Sequence, residues 1–272
     1  MIRLLQIELA KLWPAKYFRI LVVLWLTAFI SIPFGGVRLL EWMTNGMAFA
    51  ENIMLDPNAW PIFDHGDLWQ NLSYVYKMFT VFLSFVVIIS VTNEFDYKTI
   101  RQNVIDGFSK KEFWLSKISL ILFFSILATA MLFVLGVILN WTYSVSFDAT
   151  LLATNSEFLF AYFFQLVYFL MFCFVLSLWI KRAGVVIATM VFWVYIIEPI
   201  LSALVVDRWL DMPVLAQSLP MEAGWNLIQF PFTKYLLMQT QDFIGAQDIL
   251  VASGWMAFFF LVSYLLITKR DL

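Results

Sequence analysis

Six long apolar runs dominate the chain, at about 17–34, 72–92, 115–141, 158–180, 184–206 and 249–268. Each is close to the roughly 20 residues that a helix needs to cross a bilayer. None shows strict alternation and all are too long for barrel strands, so the pattern predicts six transmembrane helices. Between the second and third runs stands a compact polar segment, Asn93–Lys117, reading NEFDYKTIRQNVIDGFSKKEFWLSK. Its charges are too dense for lipid. Lys98–Asp106 has helical character and runs into Gly107, the residue type favoured just past a helix C-terminus. Ser109 followed by Glu112 is a capping-box pattern that opens the next helix.

Three further pieces do not span. Ile2, Leu5, Leu9 and Leu12 recur at helical spacing with Arg3, Glu8 and Lys11 off that face, and Pro14 ends the pattern. This predicts an interfacial helix on the membrane surface, or a plain anchor for the first span. The stretch from Gly35 to Asn71 carries Trp42, Trp60, Trp69 and turn residues. The stretch from Asp207 to Asp248 is divided by Pro213, Pro220 and Pro231 into segments too short to span and too apolar to float free. A re-entrant or interfacial helical lid over the outer end of the bundle fits it.

Composition agrees with the run pattern. At 62% hydrophobic and 13% charged residues, with mean hydropathy +0.85, the chain holds more apolar surface than a soluble domain could hide. We read residues 1–272 as one all-α, polytopic membrane domain. Charge then sets its orientation. Lys and Arg gather before the first span, in the 93–117 segment, at Lys181 and Arg182, and at Lys269 and Arg270, whereas Arg38, Lys77, Arg208 and Lys234 fall on the opposite side. By the positive-inside rule both termini and the patterned loop are cytoplasmic. The net charge of −2 conceals this polarity and gives no sign of nucleic-acid binding. The first run lacks a small-residue cleavage site and is read as a retained span. The single Cys173 cannot form an intrachain disulfide.

Polar residues within the runs are few. Ser125, Thr129, Gly136 and Asn140 share a face of the third span, and Tyr76, Thr80 and Ser84 share one of the second; such faces usually mark helix contacts. Glu198 stands apart, followed by Pro199 and on a helical face with Tyr195 and Ser202. An ionisable group there is costly, and it reads either as a pathway residue or as a carboxylate that reaches water or pairs with Lys77 or Lys234. One histidine, His65, lies between Asp64 and Asp67. A lone His among turn residues is more often surface punctuation than a metal ligand, so no metal site is expected. There is no phosphate loop, HExxH or GxSxG motif, and the chain is not expected to be an enzyme by itself.

The 94–117 segment resembles a known family. Glu94 after the second span, then Tyr97, Lys98, Thr99, Ile100, Arg101, Gln102 and Asn103, then Asp106, Gly107, Phe108, Ser109, Lys110, Lys111, Glu112 and Phe113, with Lys117 entering the third span, are similar to the first cytoplasmic loop of ABC-2 type permeases, the membrane subunits of ATP-binding-cassette exporters. The likeness is nearest to bacterial six-span members that work with a separate ATPase. It implies that Thr99–Asp106 is a coupling helix that docks in a groove of the nucleotide-binding subunit, with Glu94 near its base. It further implies a permease dimer, of identical or similar copies, in the cytoplasmic membrane, re-entrant helices before the last span as an outer gate, and ATP and Mg bound by the partner rather than by this chain. The competing expectation is a membrane scaffold or sensor that uses the same loop to hold a cytoplasmic partner. The resemblance leaves the cargo open, and the aromatic content points to a hydrophobic or amphipathic molecule.

Overall fold

The computed structural model describes residues 2–46, 68–100, 105, 107–143, 154–231 and 243–269. Among these the chain is all-helical. A short first helix, α1 (Ile2–Leu12), precedes α2 (Lys16–Gly46). Next come α3 (Leu68–Lys77) and α4 (Thr80–Asp96), then α5 (Lys110–Tyr143) and α6 (Glu157–Ile180). The following span starts as α7 (Ala183–Phe192), widens to a π-helix at Trp193–Ile197, returns to one α turn, α8 (Glu198–Ile200), and widens again over Leu201–Trp209. Two short helices, α9 (Pro213–Gln217) and α10 (Pro220–Trp225), lead to the last, α11 (Ala246–Lys269).

Among the described residues five helices are long and apolar enough to cross a membrane, or six segments if α3 and α4, bent by 43° at their break, count as one span. α6 is the hub: 72% of its apolar window is buried, against 17–39% in the unbroken spans around it. α3, α4, α5 and α11 pack on it. The surrounding spans turn apolar side chains outward, among them Ile20, Val23 and Leu24 of α2, Phe133 and Val134 of α5, and Phe258 and Leu261 of α11. In a membrane protein that surface faces lipid, which is as apolar as the side chains themselves.

The expected boundaries hold closely for the fourth, fifth and last spans, the helix of the third starts earlier, at Lys110 rather than 115, and the remaining departures have local reasons. α2 does not stop at residue 34 but continues through Pro33 to Gly46. Pro33 cannot donate to the carbonyl of Phe29, four residues back. That carbonyl instead accepts from the Tyr76 hydroxyl, so a neighbouring helix supplies the missing donor. The run 72–92 is not one straight helix: Met78 and Phe79 donate to carbonyls only three residues back, and this tight turn makes the bend. In the fifth span the amide of Glu198 reaches Trp193, five residues back. Pro199 has no amide hydrogen for an α-helical bond, and the π turns on either side absorb the mismatch.

The small and polar faces behave as contacts. Ser125 and Asn140 are fully buried, and a Cβ added at Gly136 would lie 2.5 Å from the Trp69 ring, so glycine makes room for that indole. Thr92, Thr129 and Ser177 donate to carbonyls four residues back in their own helices, which satisfies each hydroxyl without a partner helix.

A buried charge cluster at the foot of the loop

The helix signals around the patterned loop are present in the structure. Gly107 has φ +91°, in the left-handed region that glycine enters without penalty. Glu112 accepts from the Ser109 amide and hydroxyl at 2.8 Å, and the Ser109 hydroxyl accepts from the Glu112 amide at 3.2 Å, a complete reciprocal cap. Thr99, Ile100 and Ile105 are helical, while Arg101, Gln102, Asn103 and Asp106 lie outside the described residues. Tyr97 is exposed, and Lys98 has φ +54° at the turn that separates α4 from this helix. The Lys110 ammonium donates to the carbonyl of Thr268 at 3.4 Å, which puts the end of α11 beside the loop.

Below the loop four charges meet. The cap starts α5 at Lys110, so Lys117 lies about 10 Å along the helix axis. There it is 1% exposed. Its ammonium pairs with Glu8 at 2.5 Å and Glu94 at 2.9 Å, and donates to the Ser90 hydroxyl at 3.0 Å. Lys11, one helical turn after Glu8, reaches Glu94 at 3.1 Å from a side chain that is 41% exposed. Ser116 donates to Glu8 at 3.1 Å. Two carboxylates and two ammonium groups thus balance, and their hydrogen bonds are largely used within the cluster. A charge buried without such partners would cost several kcal/mol.

This geometry corrects the expected placing of Glu8. The residue is 2% exposed and faces α5, although the Ile2–Leu12 apolar face left it outside; Ile2, assigned to that face, is 76% exposed. α1 is therefore held by ion pairs to α4 and α5, as well as by Leu12 in the core. Thr99 completes the connection: its hydroxyl lies 3.4 Å from both the Glu94 carboxylate and the Glu94 carbonyl. The first residue of the loop helix accordingly touches the cluster that fastens α1, α4 and α5.

At the other end of the bundle the 210–230 segment is held by side chains that grip its backbone. Glu198, 1% exposed, accepts from the amides of Met221 and Glu222, the latter at 3.1 Å, and from the Trp193 indole at 2.6 Å. Its carboxylate therefore sits at the N-terminus of α10. Lys77, which the charge count placed on the outer side, is buried and donates to the carbonyls of Ile228 at 2.7 Å and Trp225 at 3.3 Å. An anion at one end of α10 and a cation at the other match the helix dipole. Tyr168 donates to Pro220, and Trp255 to Ser218 at 2.9 Å. Among the described residues Glu198 thus serves backbone amides rather than Lys77. Lys234 lies outside them, as do His65 and its neighbouring acids. Tyr195 is 42% exposed, and Ser202 donates to Ala216 at 3.4 Å; the π turns separate Tyr195 from the buried face of Glu198. Burial pushes the Glu222 carboxyl above its ordinary value, and the nearby Lys77 ammonium partly opposes that rise.

Residues 20–272 match the model of a family described as "Protein of unknown function (DUF2705)". The chain belongs to the DUF2705 family. No curated protein matches it. The part shared with DUF2705 includes Glu94, Lys117, Lys77 and Glu198, while α1 with Glu8 and Lys11 precedes it.

Proposed function

We propose that this protein is the permease subunit of an ATP-driven exporter of the ABC-2 type. In this reading it crosses the cytoplasmic membrane six times, with the bent α3–α4 pair as the second span and both termini in the cytoplasm. It pairs with a second permease copy and docks a separate ATPase, which binds ATP and Mg, through the helix that starts at Thr99. α9 and α10 form a re-entrant outer gate.

The observation that carries the proposal is the Glu8–Lys117–Glu94–Lys11 cluster beneath the loop. A docked ATPase can drive a permease only if the docking element moves the spans. Thr99 contacts Glu94, and Glu94 is tied to Lys117 of α5 and Lys11 of α1. Breaking such buried pairs costs about 3–5 kcal/mol, so displacement of the loop would tilt the three elements together rather than bend the loop alone. The 94–117 sequence resemblance supplies the identity of the partner.

Affinity purification of the full chain from its native membrane in mild detergent, with the co-purifying proteins identified, tests the reading. A stoichiometric nucleotide-binding subunit is expected. A stoichiometric partner without an ATPase domain would put the scaffold reading in its place.

A further inference from the structure

Independently of that reading, we infer that the chain binds a phosphate-bearing anion in a cavity between the end of α4 and the α6–α7 turn. The cavity has a volume of about 380 Å³. Lys98, Lys181 and Arg182 line it together with Asp96 and Glu94, over an apolar floor of Phe95 and Ile100. The charge count on the wall favours an anion, because Glu94 is already engaged by Lys117 and Lys11. Against Asp96 stand three cations, none of which has an ion-pair partner among the described residues.

Helix ends explain only part of this arrangement. Lys98 and Lys181 follow the C-termini of α4 and α6, where the dipole welcomes a cation. Both adopt left-handed backbone, with φ +54° and +64°. Non-glycine residues are uncommon there, and two of them border the same cavity. The Lys181 ammonium is 4.7 Å from the Phe95 ring centre, which holds it at the wall. Arg182 has no such excuse. It is the N-cap residue of α7 and gives that helix no side-chain cap. A cation at a helix N-terminus opposes the dipole, and an anion held beside Arg182 in the cavity would offset that opposition.

The same chemistry fits the headgroup of an anionic phospholipid or a free phosphate, and the two can be separated. The full-length protein in mild detergent is offered dioctanoyl-phosphatidylglycerol, dioctanoyl-phosphatidylcholine or sodium phosphate, and bound ligand is counted by native mass spectrometry. Phosphatidylglycerol retained in preference to phosphatidylcholine, and weakened about tenfold or more in Lys181→Gln/Arg182→Gln, assigns the site to a lipid headgroup. Phosphate retained with the same dependence on the variant, without a preference between the two lipids, assigns it to a soluble phosphate. Lys16→Gln/Arg19→Gln removes two charges near the start of α2, outside the cavity lining, and should leave binding unchanged. Absence of binding by either anion overturns the inference. So does equal retention in Lys181→Gln/Arg182→Gln, or an equal loss in Lys16→Gln/Arg19→Gln. A Lys98→Gln variant with the same loss would give a second, single-residue check that does not touch the α6–α7 turn.

Discussion

Lys117→Met removes the centre of the charge cluster and leaves its surroundings nearly the same size. In the native protein its ammonium neutralises Glu8 at 2.5 Å and Glu94 at 2.9 Å while 1% exposed. Without it two buried carboxylates share only Lys11, which is 41% exposed and already bound to Glu94 at 3.1 Å. Loss of one partner from a buried pair costs about 3–5 kcal/mol, which for a chain of this size lowers the unfolding midpoint by about 10 °C. The second variant, Glu8→Gln/Lys117→Met, deletes one charge of each sign and retains the Glu94–Lys11 pair. It should recover at least half of the lost midpoint, because the residual charge balances and Gln can still accept from Ser116. Thermal unfolding followed by tryptophan fluorescence, with both single variants completing the cycle, reads the coupling directly. A double variant no better than the sum of the two single losses would refute the claim that these charges act as one unit.

Other expectations follow from single contacts. Gly136→Ala pushes a methyl group to 2.5 Å from Trp69 and should destabilise by about 1–3 kcal/mol in the same thermal assay, with Trp69→Leu relieving most of the loss. Glu198→Ala leaves the Met221 and Glu222 amides and the Trp193 indole without their acceptor, so limited proteolysis within 210–230 should speed up by more than tenfold, whereas Glu198→Gln should show a smaller change. For Glu222 the folded carboxyl titrates above its ordinary value, so its contribution to stability is complete below the ordinary carboxyl range and is lost as pH rises through the raised folded value. Wild type should therefore lose midpoint relative to Glu222→Gln as pH increases through that window; parallel curves would show that the group contributes no such linkage.

Much of the architecture was legible because long apolar runs report directly on helices in lipid. The capped start of α5 could be read from Ser109 and Glu112, two residues one helical turn apart that need only each other. What escaped the sequence depends on partners far apart. Glu8 sits beside an apolar helical face, and nothing in its neighbourhood announces Lys117, 109 residues later. One signal was available: a helix that begins at Lys110 carries Lys117 about two turns in, too deep to be loop. The α3–α4 bend falls just after Lys77, a charge inside the apolar run, but carries neither proline nor glycine, since a backbone turn of three residues needs neither. Pro199 did mark an irregularity. The sequence could not show that π turns would absorb it, nor that Glu198 would spend its carboxylate on the amides of α10.

Affinity purification of the full-length chain, with ATP hydrolysis assayed for wild type and for a variant with residues 99–106 replaced by a Gly-Ser linker of equal length, tests whether this protein docks an ATPase through its loop. Docking through the loop requires a stoichiometric ATPase in the wild-type preparation whose retention and activity are both lost in the variant, while the membrane protein itself stays folded. An ATPase retained at equal stoichiometry and rate by the linker variant, or none in the wild-type preparation, would contradict it.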